Sequence, residues 1–350
     1  MWKVGLVGTG YWSEKHLKAW ARIPNVQITA LCNRSKQKLV EKGQQFHVPE
    51  DQLYTNIDDM LESADIDIVD IVTAPETHLE FVRKVAKAGK HIMCQKPFAR
   101  SLDEAKEMAR IANESGVRLM VTENWRWLQP FQLIKEVLEE GRLGKVHVAR
   151  YLHSDFYTPR MAPGKELPQP FFREMPNLLF YEMGAHWFDT WRFLFGDPER
   201  LYAETRRISP YISGEDTGTV LLSYEDFYGI MDMSWATRRD LSGPVTDLVL
   251  PNHLEQLVIE GNLATLKLYS NGDISLIDSK GNEQLLKERT ELDHEESHYR
   301  LQSHFINCLG TGEAFQTSAE DNVKTLSLIF ATYESSKEQR AIKFLKGAMA

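Results

Sequence analysis

The chain has 350 residues, 42% of them apolar and 26% charged, with a formal net charge of −9. That length suits two domains of about 100–200 residues each, and the negative balance argues against nucleic acid as a partner. Nothing approaches the roughly 18 apolar residues of a membrane span, and Cys32, Cys94 and Cys308 are too scattered for disulfides or a zinc site, so a soluble, cytoplasmic protein with reduced thiols is expected.

The first 122 residues alternate short β-branched runs with longer amphipathic ones. Val4–Val7 reads as a buried strand, 12–22 as a helix, Gln27–Cys32 as a strand and 35–46 as a helix. Ile66–Thr73 is a strand, His78–Ala88 a helix, His91–Cys94 a strand, 101–115 a helix and Arg118–Thr122 a strand. Strands alternating with helices predict a parallel, doubly wound sheet over 1–122, a Rossmann dinucleotide-binding domain. The apolar run before Gly8 is too short for a secretory signal.

The texture changes over 123–350. A strand is predicted from Gly144 to about Tyr157, a loop over 158–176 and a helix over 177–195. Strand-like runs follow at 200–208, 217–224, 228–236, 254–260 and 263–269, with hairpin turns at Asp226/Gly229 and Asn271-Gly272. Helices at 295–309 and 319–338 close the chain. Successive strands without intervening helices predict a large, mainly antiparallel open sheet in an α/β domain.

Gly8-Thr9-Gly10-Tyr11-Trp12 lies between the first strand and the first helix. Gly8 permits a tight turn, and Gly10 lets backbone N–H groups approach a pyrophosphate at the helix N-terminus. Ser13 takes the place of the third glycine of the usual fingerprint. The second strand ends at Asn33-Arg34-Ser35, with no acidic residue for a ribose 2′-hydroxyl. Those three side chains suit a 2′-phosphate, so NADP is favoured and NAD remains possible; the alternative is an Arg34 that stacks on adenine and tolerates either. Thr73-Ala74-Pro75 and His78 follow another strand, at the edge where such sheets bind ligands. His78 has two readings, cofactor contact or simple helix start.

Cys94-Gln95-Lys96-Pro97 ends a further strand at that edge. Glu182, His186 and Asp189 are spaced i, i+4, i+7 and share one helix face, where a carboxylate can orient an imidazole. These are also metal-ligand types, but no further His or Cys stands at ligand spacing, so no metal is expected. Asn124, Trp125, Arg126 and Trp127 open the second region; the tryptophans offer an apolar wall and Arg126 a donor, with packing as the alternative use. Tyr157 and Arg160 are polar enough for a polyol, as solvated loops also are.

Together these motifs resemble the glucose–fructose oxidoreductase/inositol dehydrogenase (Gfo/Idh/MocA) family over essentially the whole chain. The resemblance implies NAD(P)-dependent oxidation or reduction of a sugar, polyol or cyclitol. It assigns Lys96 to the family lysine, His186 to the acid/base and Glu182 to a position usually held by Asp. Cofactor contacts are expected at Gly8 to Trp12, Asn33 to Ser35, Thr73 to Pro75, His78, Gln95, Lys96, Asn124 and Trp125. Substrate contacts are expected at Lys96, Arg126, Tyr157, Arg160, Glu182 and His186, and a homodimer or homotetramer through the second sheet. Gln95 stands where the family usually has Glu, so substrate specificity does not transfer. Two other readings stand: a family enzyme whose tightly held cofactor supports transient oxidation for glycoside cleavage or epimerisation, and a silent nucleotide sensor.

Overall fold

The protein is described here from a computed structural model over residues 1–155, 157–165, 169–237 and 255–344. The predicted loop over 158–176 therefore loses 166–168, and the strand runs ending near Tyr157 and starting at 254 each touch a residue outside the described ones. Two compact units are present, Met1–Trp127 with Asp293–Leu326, and Leu128–Leu292 with the chain from Ser327 on.

The first unit is built on β1 (Trp2–Val7), β2 (Val26–Cys32), β3 (Leu53–Tyr54), β4 (Ile68–Ile71), β5 (His91–Gln95) and β6 (Leu119–Thr122). Their order, β3-β2-β1-β4-β5-β6, with every pairing parallel, is the doubly wound arrangement expected from the sequence. The helices are α1 (Ser13–Arg22), α2 (Lys36–Phe46), α3 (Ile57–Ser63), α4 (His78–Lys87) and α5 (Leu102–Glu114). Ser35, Asn56 and Ser101 cap α2, α3 and α5 by accepting from backbone N–H groups in the first turn.

A later helix, α9 (His294–Thr311), joins this unit and packs on α1. Its Leu301, Phe305 and Ile306 share a core with Val4, Trp20, Ile68, Met93 and Met120, covering one face of the sheet. The sequence boundary at 122/123 assigns this helix to the second domain by chain order. Its apolar stripe faces the first sheet nonetheless.

The second unit carries β7 (Val146–Ser154), β8 (Arg200–Arg206), β9 (Thr217–Ser223), β10 (Tyr228–Ser234), β11 (Glu255–Gly261), β12 (Ala264–Tyr269), β13 (Ile274–Asp278), β14 (Glu283–Lys287) and β15 (Ile342–Lys343). They form a sheet ordered β14-β13-β12-β11-β7-β10-β9-β8-β15. Among the described residues only β7 and β10 pair in parallel, so the sheet is mixed and mainly antiparallel. The helices are α6 (Gln129–Glu139), α7 (Leu179–Glu182), α8 (Gly184–Phe195) and the part of α10 (Ala319–Glu338) from Ser327 on, its first turns belonging to the first unit. Gly272 turns between β12 and β13 at φ +87°, as its Asn-Gly pair predicts. Gly229 instead lies inside β10, where a Cβ would sit 2.1 Å from Trp191; it serves close packing, not the turn.

Candidate active site

In the first unit the carboxyl ends of β1, β4, β5 and β6 lead into Gly8–Trp12, Thr73–His78, Gln95–Pro97 and Glu123–Trp125, all on one edge of the sheet. Gly8 adopts φ +98°, and a Cβ there would stand 2.2 Å from the carbonyl oxygen of Val72. Only glycine fits against β4 in that way. At Gly10 a Cβ would meet nothing within 4 Å, so the missing side chain leaves open space before α1. No side chain caps α1, and the buried Thr9 Oγ1 has no hydrogen-bond partner. An uncapped helix start behind two glycines, with an idle hydroxyl beside it, fits the pyrophosphate of a dinucleotide. Tyr11 is exposed, while the Trp12 ring stacks on His298 of α9, centroids 6.2 Å apart.

At the end of β2, Asn33 donates its backbone N–H to Tyr54, and the Ser35 hydroxyl accepts from Lys38 N as the cap of α2. Arg34 is exposed at the same turn. Thr73 Oγ1 lies 2.7 Å from Thr77 Oγ1, with Ala74 exposed and Pro75 half-buried between them. His78 is fully buried at the start of α4, its Nδ1 2.9 Å from the Phe98 carbonyl and Nε2 3.1 Å from that of Thr73. Both ring nitrogens face backbone carbonyls, so His78 ties this turn to the segment after β5. Burial depresses its pKa.

Gln95 and Lys96 are both buried at the end of β5, and the Lys96–Pro97 peptide is cis. The Gln95 side-chain oxygen accepts the Lys96 backbone N–H at 2.7 Å. Its amide nitrogen lies 3.0 Å from His16 Nε2, and His16 Nδ1 lies 2.9 Å from Asp70 Oδ2, which also accepts from Trp20 Nε1 at 2.7 Å. None of Asp70, His16 or Trp20 stood among the expected site residues. The available signals were one charge inside the buried run Ile68–Val72, and a His and Trp four residues apart on one face of α1.

After β6, Asn124 donates to Ser297 Oγ at 2.7 Å, and Trp125 donates its backbone N–H to Glu123 at 3.2 Å. The Arg126 guanidinium is buried and donates to the Gln316 carbonyl and to Asp321. What the structure displays for Arg126 is a tie between the segment after β6 and the start of α10. Trp127 packs on His304, centroids 4.9 Å apart.

In the second unit, Glu182 ends α7 and His186 occupies the first turn of α8, both buried, with Asp189 fully buried one turn on. The single helix expected over 177–195 is two, divided at Met183, which keeps right-handed dihedrals of φ −94° and ψ −26°. The i, i+4 relation of Glu182 and His186 therefore survives the break. Glu215 braces α7: its carboxylate accepts from Leu178 N (3.0 Å), Phe180 N (2.9 Å) and Tyr333 Oη (2.6 Å), and burial raises its pKa. The Trp187 indole, buried beside His153, leaves its N–H without a hydrogen-bond partner. Tyr157 packs on Trp235, and Arg160 follows in the same 3-10 turn, half-buried. Among the described residues no cluster of His, Cys, Asp and Glu suits a metal.

The sheet order, the glycine turn and the uncapped helix define a dinucleotide-binding domain, which the chain carries together with a second, α/β domain. Sequence comparison agrees: residues 2–123 match "Oxidoreductase family, NAD-binding Rossmann fold" and residues 131–250 match "GFO/IDH/MocA C-terminal domain". The chain belongs to the Gfo/Idh/MocA oxidoreductase family. It is 33% identical to a D-apiose dehydrogenase of Paraburkholderia graminis, across 97% of this chain and 89% of that protein. It is 31% identical to a D-apiose dehydrogenase of Rhizobium rhizogenes, across 99% and 98%. A crystal structure of an oxidoreductase from Agrobacterium radiobacter in complex with NAD+, L-tartaric acid and magnesium superposes with a TM-score of 0.88 at 30% identity, covering 100% of this chain and 99% of that one.

Proposed function

We propose that this protein is an NAD(P)-dependent dehydrogenase or reductase acting on a secondary hydroxyl, carbonyl or anomeric carbon of a sugar or polyol. The observation that carries this reading is the buried Lys96 on the same sheet edge as the Gly8–Gly10 turn. The D-apiose dehydrogenases noted above, and a myo-inositol 2-dehydrogenase of Thermotoga maritima at 25% identity, support the substrate class.

The dinucleotide, when bound, donates or accepts hydride at nicotinamide C4. Gly8, Thr9 and Gly10 hold its pyrophosphate, with Tyr11, Trp12, Thr73 to Pro75, Asn124 and Trp125 around the rest. His186 takes the hydroxyl proton as general base. The Lys96 ammonium hydrogen-bonds the same oxygen and stabilises the developing alkoxide. Glu182 orients His186 or holds a neighbouring hydroxyl, and Tyr157 and Arg160 contact the outer hydroxyls. The test is absorbance at 340 nm with NAD or NADP against aldoses, branched pentoses, polyols and inositols, with Lys96→Met as control. Turnover that survives Lys96→Met would remove the lysine from the mechanism.

Asn33, the exposed Arg34 and Ser35 support a preference for NADP. NADPH is expected to bind at least about tenfold more tightly than NADH, and Arg34→Ala to erase most of that margin, since a charge-assisted bond contributes about 1.5–3 kcal/mol. Equal dissociation constants, measured by fluorescence titration, would leave Arg34 as an adenine neighbour only. A cytoplasmic setting fits three buried, free cysteines and the absence, among the described residues, of a helix able to cross a membrane. The exposed face of the second sheet suits a homodimer or homotetramer.

A further inference from the structure

The hydrogen-bond directions around Gln95 are fixed by one donor. The Lys96 backbone N–H can only donate, so the Gln95 atom 2.7 Å from it is the amide oxygen. The amide nitrogen must then face His16, 3.0 Å from Nε2. An amide –NH2 has no lone pair to offer, so His16 Nε2 accepts. The remaining ring proton sits on Nδ1 and is donated to Asp70 Oδ2 at 2.9 Å. Trp20 Nε1 donates to that same oxygen, which keeps it an acceptor.

We propose that Asp70, His16 and Gln95 form a buried positioning relay for Lys96, with His16 held as the neutral Nδ1–H tautomer. The proposal rests on Lys96 acting at the substrate, as argued above. Asp70 and His16 are wholly buried and Gln95 is 7% exposed, so water has little access to replace any link. The relay spans three elements: Asp70 from β4, His16 and Trp20 from α1, and Gln95 from β5. It thereby fixes the backbone from which the lysine side chain departs. Glutamate at position 95 would reverse the last link, because a carboxylate only accepts and His16 Nε2 would then have to carry a proton. Gln95 and a neutral His16 are thus a matched pair. Among the described residues the imidazole also faces His298 of α9, with centroids 4.9 Å apart, and Asp70 in turn acts on Cys94 of β5, whose thiol pKa is raised chiefly by burial.

Two readouts test the relay without any substrate. In the full-length protein labelled with 15N-histidine, His16, assigned by its loss in His16→Gln, should show a protonated Nδ1 and a bare Nε2 at pH 7.5. Gln95→Glu should convert it to the imidazolium pattern. A cationic or Nε2–H His16 in the wild type would overturn the proposal. In hydrogen exchange, His16→Phe should speed the Lys96 amide at least about tenfold and leave Ile92 to Cys94 unchanged. His16→Gln, whose side-chain oxygen can again accept from Gln95, should restore most of the protection. Unchanged exchange at Lys96 in His16→Phe would also sink the relay, as would general loss of protection across β5, which marks a merely structural residue. The Lys96 reading fails separately, if Lys96→Met keeps the turnover that the wild type shows at 340 nm with NAD or NADP on the sugar and polyol panel.

Discussion

Gly8 shows how narrowly one residue can be constrained. Its φ of +98° lies where a side chain is strained, and a Cβ would overlap the Val72 carbonyl oxygen at 2.2 Å. Positive φ costs a non-glycine residue on the order of 1–3 kcal/mol, and the overlap must also be relieved by moving β1 from β4. Gly8→Ala is therefore expected to lower the unfolding free energy by more than about 2 kcal/mol, and to weaken dinucleotide binding at least about tenfold. Urea unfolding and fluorescence titration read the two effects; Gly10→Ala, with open space around its Cβ, should spare stability and lose only binding. A stable Gly8→Ala would contradict the close approach. Gly8, Gly10, Lys96 and His186 stand out in the sequence as candidates because each lies in a short local pattern. Asp70, His16 and Gln95 were not legible as a set, since their bonds join residues 54 and 79 positions apart. Arg126 and His78 looked available for ligand in the sequence because nothing local reveals that carbonyls from Gln316, Phe98 and Thr73 face their nitrogens.

At the scale of elements, α7 is too short at four residues to hold itself together, yet it carries Glu182. Glu215 supplies what the helix lacks, accepting two of its first backbone N–H groups together with the Tyr333 hydroxyl. Glu215→Ala leaves those donors buried and unpaired, at about 1–3 kcal/mol for each group. The expected result is a lower urea midpoint, with kcat falling more than KM for the dinucleotide because the damage lies beside Glu182. An unchanged midpoint would show that α7 does not depend on this carboxylate. Such remote bracing explains which elements the sequence concealed. The helix α3 has only seven residues and β3 two, so neither displays a period. The strand β14 is mostly exposed and lacks the apolar alternation that marks a strand. The helix α6 begins with Pro130 in its first turn, a start signal directly after the Trp125–Trp127 segment that was read as junction. Long elements such as α5, α9 and α10 were plain in the sequence, but nothing local in α9 says which sheet its stripe covers.

Two properties belong to the whole molecule. The first is acid sensitivity. His78, His91, His153, His294 and His304 all have depressed pKa values, in each case chiefly because burial disfavours the cation. In the unfolded chain they protonate near 6.5; in the folded protein they do so only at lower pH. As pH falls below about 6.5 the unfolded state binds more protons, so stability present above that value is lost through the folded pKa values. Glu215, raised by burial, works the other way, since its contribution fades as pH rises from its ordinary value of 4.5 through the folded one. Five imidazoles outweigh one carboxyl. The melting temperature should therefore fall by several degrees between pH 7.5 and 5.5, and a flat profile would contradict the burial argument. The second property is assembly. Register places Tyr202, Leu221, Ile230, Arg150 and Val258 side by side across β8, β9, β10, β7 and β11. Leu221 is 37% exposed and Tyr228, on the same face, 45%, whereas the opposite face buries Ala203, Val220, Leu222 and Met231. The exposed Leu221, beside the part-exposed Tyr202 and Ile230, supports the proposed homo-oligomer in seating a second copy on this row. Light scattering behind size exclusion should give at least twice the 40.3 kDa chain mass. Leu221→Lys, which sets a charge in the middle of that row, should shift the protein to 40.3 kDa while leaving its circular dichroism unchanged. A wild-type protein that already runs at the single-chain mass would assign this face to solvent, and Leu221→Lys would then be silent.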